Sequence, residues 1–302
     1  MSIPRSRTAT RRHSPVEEPR SPASPASVYV RVSEVFTPLL AAPGIGDEEV
    51  ADIELSRGAV ARVLASARHL HSKAAVMFLP GDTGVLDIRD DGSLGRKEIN
   101  FLVRTRHLFQ ARDIATVLVD CPSDRKGEGG LYGFRASPEH ASDLAEIATY
   151  AHSLFEAPVW LAGTSRGAES VVNAAWRFSG SGVFSGLVLL AATTRPEAEY
   201  MDLPGCLFDS PLSEIRLPTL IVHHAHDSCP LSPCADVPRM RKAFANARDL
   251  TDYIFEGGAV SQSAPCLGLH AHGFFGIEPP VVDAIAKYIT GRNHDWEKSS
   301  WK

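Results

Sequence analysis

Apolar residues along this chain fall into short runs, separated by stretches in which they recur every three or four positions. That texture predicts strands alternating with helices. The firmest run is Ala74-Ala75-Val76-Met77-Phe78-Leu79, which stops at Pro80-Gly81. A strand with no polar alternation must be covered on both faces, so the run predicts a mostly parallel sheet with helices on either side. Helical spacing follows over 100–112, then a strand over 115–119, then a helix over 138–155 with Pro138 in its first turn. A strand over 158–162 leads into a helix whose Val171, Ala174, Ala175 and Phe178 share a face. Further strands are expected over 186–191, 219–223 and 251–255, and helices over 237–247 and 279–289. Three early segments, 28–32, 52–55 and 59–64, read as strands in antiparallel hairpins.

Residues 1–26 are dominated by Arg, Ser and Pro and are expected to form a disordered tail, because they bury too little apolar surface to offset the entropy of ordering. Residues 27–302 then make one α/β catalytic domain, with no internal repeat. The connection over 193–218 is too short for a large lid domain, so a small lid or none is expected. With 302 residues and 44% hydrophobic composition, one substantial core is available.

The net charge of -5, with no basic stripe beyond residues 5–12, argues against a nucleic-acid partner. No segment approaches the roughly 18 apolar residues of a membrane span. Arg11-Arg12 lacks the apolar run of an export signal after it, so a cytoplasmic location is expected. The five cysteines are odd in number and dispersed, which predicts mostly ordinary thiols.

Chemistry enters with Gly163-Thr164-Ser165-Arg166-Gly167, placed between a buried strand and a helix. A G-x-S-x-G segment at that junction is the pattern of a nucleophile elbow, with glycines where side chains two residues either side of the serine would collide. A serine hydroxyl needs an imidazole to take its proton, and the imidazole needs a carboxylate to orient it. Asp227 follows the strand over 219–223, at the sheet edge where open α/β folds bind ligands, and is preferred over Asp209 and Asp236 as the acid. For the base, His272 is preferred over His270 because Gly273 and Phe274 follow it. The oxyanion would be held by the Arg166 amide and by that of Asp82 or Thr83 in the loop after the strand over 74–79. An acidic side chain at Asp82 is tolerable there only if it points away.

These features together resemble the α/β-hydrolase superfamily over roughly three quarters of the chain. Within it, Asn100 to Arg104, Pro122-Ser123-Asp124-Arg125, the segment around Ser165, His223-His224 with Asp227, and His272-Gly273-Phe274 resemble a little-characterised group of small bacterial hydrolases. The resemblance implies the fold and a Ser-Asp-His triad but no substrate, and the group tends to be exported, which this chain's N-terminus does not match. A serine hydrolase acting on a small-molecule ester or thioester, without cofactor or metal, is therefore expected. An acyltransferase or lyase on the same fold is the main alternative. A metal-dependent hydrolase using His223, His224, His226 and Asp227 is weaker, since adjacent strand residues face opposite ways. The glycine-rich loop over 124–135 is a candidate cover for substrate, and Cys229 and Cys266 a candidate bridge between the acid and base loops.

Overall fold

The computed structural model describes residues 27–37, 39, 48–68, 72–96, 98–127, 129–196 and 205–291. The tail expected over 1–26 lies outside them. Its strands are β1 (Val28–Arg31), β2 (Glu48–Glu54), β3 (Val60–Ser66), β4 (Ala74–Leu79), β5 (Ile114–Val119), β6 (Val159–Thr164), β7 (Gly186–Leu190), β8 (Thr219–His224) and β9 (Leu250–Glu256). The helices are α1 (Phe101–Gln110), α2 (Pro138–Phe155), α3 (Gly167–Arg177), α4 (Val237–Ala243) and α5 (Glu278–Ile289). All nine strands join one sheet in the order β1-β9-β8-β7-β6-β4-β5-β3-β2.

Pairing is parallel from β1 across to β5 and antiparallel from β5 to β3 and from β3 to β2. The fold is thus the expected mostly parallel sheet with helices on both faces. The early segments divide. Residues 48–66 form the expected antiparallel hairpin, but 28–32 does not: β1 lies at the opposite edge, parallel to β9, with Val28 beside Tyr253. Its alternating burial specifies a half-covered edge strand, and periodicity carries no information about which edge it joins.

The unbroken apolar runs have a direct structural reason. Ala75, Met77 and Leu79 of β4 enter one core with Leu144 of α2, Val171 of α3 and Met240 of α4. Ala74, Val76 and Phe78 enter a second core with Phe109 of α1 and Ile285 of α5. Each large side chain so buried contributes about 1.5–3 kcal/mol, which fixes the register of the central strands. Among the described residues, no helix is long and apolar enough to cross a membrane.

Two features aim this scaffold at one edge. β4 is flanked by β5 on one side and β6 on the other, so the chain reverses direction across the sheet there and opens a crevice at the carboxyl ends of β4 and β6. Beside it, Asn100 caps α1 by accepting from Leu102 N, and its Nδ2 donates to Thr164 Oγ1 at 2.9 Å.

Deeper, Arg104 of α1 pairs with Glu278 of α5 at 3.0 Å with both side chains fully buried. It also donates to Ile99 O at 2.7 Å and Gly273 O at 2.6 Å. Glu278→Gln, which leaves the guanidinium without its counter-charge, is expected to lower unfolding free energy by about 3–5 kcal/mol in urea titration. Arg104→Met combined with Glu278→Leu should recover much of that loss. A double variant no more stable than Glu278→Gln would contradict this account of the pair.

Candidate active site

β6 ends at Thr164 and α3 begins at Gly167, leaving Ser165 in the tightest part of the turn. Its φ of 52° is left-handed, which costs a residue with a β-carbon about 1–2 kcal/mol. The strain is held by hydrogen bonds from Ser165 N to Leu190 O at 2.9 Å and from Ala168 N to Ser165 O at 3.1 Å. A β-carbon on Gly163 would stand 2.5 Å from the Gly167 carbonyl carbon, and one on Gly167 would overlap Leu79 O. Both glycines are therefore required by the turn itself and by its packing on β4. Ser165 Oγ lies 3.4 Å from Thr193 Oγ1, and among the described residues no hydrogen bond joins Ser165 to His272, although both line the same cavity.

β8 delivers Asp227, whose side chain is fully buried. Its Oδ1 accepts from Cys229 N at 2.9 Å, and its Oδ2 lies 2.9 Å from His272 Nδ1. That contact assigns the Nδ1 proton to the carboxylate side of the ring and leaves Nε2 as the nitrogen for the cavity. Ser232 Oγ joins the pair, 3.1 Å from His272 Nδ1 and 3.5 Å from Asp227 Oδ2. His270 is not part of it: its carbonyl accepts from Gly273 N, and its Nδ1 is buried without a partner. Asp209 bonds the amides of Gly205 and Cys206, and Asp236 bonds Thr194 and Arg195.

The His272 loop is tightly wound. Gly273 passes so close to Gly268 O that no β-carbon fits, and Phe274, with φ of 57°, packs its ring 5.2 Å from Phe101. A disulfide joins Cys229, two residues after Asp227, to Cys266 in the loop that leads to His272, with their Cα atoms 4.7 Å apart. Cys121, Cys206 and Cys234 are free, in keeping with mostly ordinary thiols, whereas this bridge is the one the sequence offered as a candidate. The reason is topological: β8 and β9 are neighbours, so the loops that follow them meet although the cysteines are 37 residues apart.

The loop after β4 closes the other side. A β-carbon on Gly81 would stand 2.9 Å from Ser165 Cβ and 3.5 Å from Arg166 N. Asp82 follows with φ of 52°, and its Oδ1 accepts from Tyr132 OH at 2.7 Å, which engages the carboxylate at the rim. Asp82 lines the cavity; Thr83 does not, and its carbonyl instead accepts from Leu131 N. The cavity holds about 450 Å3, with Ser165, Arg166 and His272 in its wall. Ile99, Phe101, Leu231 and Leu267 supply apolar surface, and loops form the walls.

The histidine cluster at the end of β8 is otherwise engaged. His223 Nδ1 accepts from His224 N, while His224 Nε2 meets Gly257 O and its Nδ1 accepts from His226 N. Burial pushes the pKa of both His223 and His224 below the ordinary value. Among the described residues, no three His, Cys, Asp or Glu side chains converge as a ligand set. Ser232 and Thr193 had no signal in residue spacing, since each depends on which loops meet in space, whereas the positions of Cys229 beside Asp227 and of Cys266 before His272 did point to the bridge.

No protein-family model matches the chain, and no curated protein matches it in sequence. Solved structures share its fold. An esterase of Pyrococcus furiosus is 11% identical, with a TM-score of 0.56 over 85% of this chain and 99% of that one. A fungal esterase from Rhizomucor miehei is 12% identical, with a TM-score of 0.57 over 83% of this chain and 84% of that one. A puromycin-hydrolysing peptidase of Mycobacterium tuberculosis is 16% identical, with a TM-score of 0.54 over 82% of this chain and 41% of that one.

Two outcomes follow from the packing behind and beside Ser165. His140 of α2 is buried with Nε2 2.8 Å from Ser170 Oγ, and desolvation, followed by the Arg135 charge, pushes its pKa down to about 3. A depressed folded value means that the neutral ring contributes stability above the unfolded pKa near 6.5, lost as pH falls toward 3. At pH 4.5 the loss is about 3 kcal/mol relative to neutral pH, and His140→Gln should abolish it in urea titrations at the two pH values. Equal pH dependence in both proteins would contradict this. Separately, Cys229→Ala with Cys266→Ala should lower stability by about 2–4 kcal/mol, matched by reducing the natural chain with dithiothreitol. An unchanged urea midpoint would argue against the bridge.

Proposed function

From the α/β-hydrolase fold that the chain shares with these hydrolases, we propose that it is a serine hydrolase acting on a carboxylic ester or thioester through an acyl-enzyme on Ser165. The observation that carries this reading is the 2.9 Å contact between His272 Nδ1 and buried Asp227, in a cavity whose wall also holds Ser165 in its left-handed turn.

His272 Nε2 takes the proton from Ser165 Oγ as the oxygen bonds to the substrate's acyl carbon. The carbonyl oxygen becomes negative and lies between the amides of Arg166 and Asp82, at the start of α3 where the helix dipole also favours negative charge. Collapse breaks the bond to the leaving group, which receives the proton from His272. Water, deprotonated by the same imidazole, then attacks the acyl carbon and releases the acid and free Ser165. Throughout, Asp227 keeps the ring in one tautomer and stabilises its charged form, with Ser232 beside both groups. An acyltransferase shares every step up to the acyl-enzyme and differs in the nucleophile that ends it.

The cavity of about 450 Å3 and its apolar wall fit a small-molecule acyl substrate. Disulfides persist mainly in oxidising compartments, so the Cys229–Cys266 bridge speaks against the cytoplasmic location expected from the N-terminal residues and favours action outside a reducing cytoplasm. A fluorophosphonate probe should label the natural chain and leave Ser165→Ala unlabelled. His272→Ala should lower kcat on p-nitrophenyl acetate by about 10³-fold or more. Labelling retained in Ser165→Ala, or absent from the natural chain, contradicts the assignment.

A further inference from the structure

The glycine-rich segment that ends at Arg135 is packed against the loop after β4. Leu131 N donates to Thr83 O at 2.9 Å, and Tyr132 OH donates to Asp82 Oδ1 at 2.7 Å. Gly130 approaches Thr83 so closely that a β-carbon would overlap its carbonyl oxygen. The deepest contact is Arg135, only 2% exposed. Its Nη2 donates to Pro80 O at 3.0 Å and to Asp82 O at 2.9 Å, while Nη1 donates to Ser170 Oγ of α3 at 2.8 Å.

These contacts have a geometric consequence at the peptide between the two carbonyls that Arg135 holds. Gly81 O accepts from Gly84 N at 3.1 Å, so the carbonyls of Pro80, Gly81 and Asp82 are all tied down. In a trans peptide the N–H points opposite to the C=O, and fixing Gly81 O therefore fixes the direction of the Asp82 N–H. Gly81 itself lies against Ser165, close enough that only a glycine fits without displacement. Burying a guanidinium is costly, yet its hydrogen bonds here go to two carbonyls of one loop and a hydroxyl of the helix after Ser165.

We propose that Arg135 is a positioning residue that holds the Gly81–Asp82 peptide in register with the Arg166 amide, so that both N–H groups face the oxygen of a tetrahedral intermediate on Ser165. The inference rests on Ser165 being the nucleophile. Donors fixed before reaction stabilise the transition state without reorganising, whereas a peptide free to rotate leaves substrate binding intact and loses rate. The fork geometry is needed, because a lysine ammonium cannot span both carbonyls and Ser170 together. Residues 129–135 thus form a brace for the oxyanion site.

The test compares hydrolysis of p-nitrophenyl acetate, and inhibition by an alkylboronic acid that forms a tetrahedral serine adduct, in the natural chain, Arg135→Lys and Arg135→Gln. Melting curves establish that the variants are folded. The expected result is a fall in kcat of about 10²-fold in both, with KM within about threefold and boronic-acid affinity falling in parallel with kcat. Folded variants with unchanged kcat, or with unchanged boronic-acid affinity, overturn the proposal. Where neither variant folds, Ser170→Ala removes one anchor of Arg135: a fall in kcat of about fivefold at unchanged KM supports the proposal, and unchanged kcat overturns it. Fluorophosphonate labelling run alongside separates the two levels of inference. Failure to label Ser165 in the natural chain overturns both, while labelling with unimpaired Arg135 variants overturns this one alone.

Discussion

The candidate site depends on the packing of the Ser165 turn against the end of β4. Gly167 has no room for a β-carbon because Leu79 O occupies that space, and Gly163 has none because Gly167 does. This close approach lets the loop after β4 run beside Ser165, where Gly81 lies against the serine and Asp82 shares the cavity wall with Arg166. The left-handed backbone of Ser165 is the cost, about 1–2 kcal/mol, and hydrogen bonds to Leu190 O and from Ala168 N hold it. A looser turn would relieve the strain and separate the two halves of the site.

The sheet supplies the remaining placement. Parallel strands all end at the same edge, so loops from β4, β6, β8 and β9 converge without any of the chemistry-bearing residues being near one another in sequence. Each loop is then braced by a different element. The disulfide ties the loop of Asp227 to the loop of His272, Arg104 holds Gly273 O, and Arg135 holds Pro80 O and Asp82 O. Two buried arginines thus serve two different loops, each spending donors on main-chain carbonyls.

Much of the fold was legible in the sequence because both faces of the central strands are covered, which leaves unbroken apolar runs whose shortness and flanking turn residues mark buried strands. The edge position of β1 was not, since its alternation is compatible with either edge. For the site, the order of Ser165, Asp227 and His272 after β6, β8 and β9 was enough to single out, in Asp227 and His272, two side chains that lie 2.9 Å apart. The Cys229–Cys266 bridge was legible as a candidate, but Ser232 and the choice of Asp82 over Thr83 at the cavity were not. Each depends on how loops distant in sequence pack together, which leaves no periodicity to read.

The central claim is that an acyl group passes through Ser165, and the most direct measurement is rapid mixing with p-nitrophenyl acetate followed by acid quench and peptide mass spectrometry. The account predicts a burst of p-nitrophenol approaching one equivalent per enzyme, with an acetyl group mapped to Ser165 and absent from Ser165→Ala. Turnover with no acetyl group on Ser165 at any quench time, or acetylation of another residue in step with the burst, would contradict it.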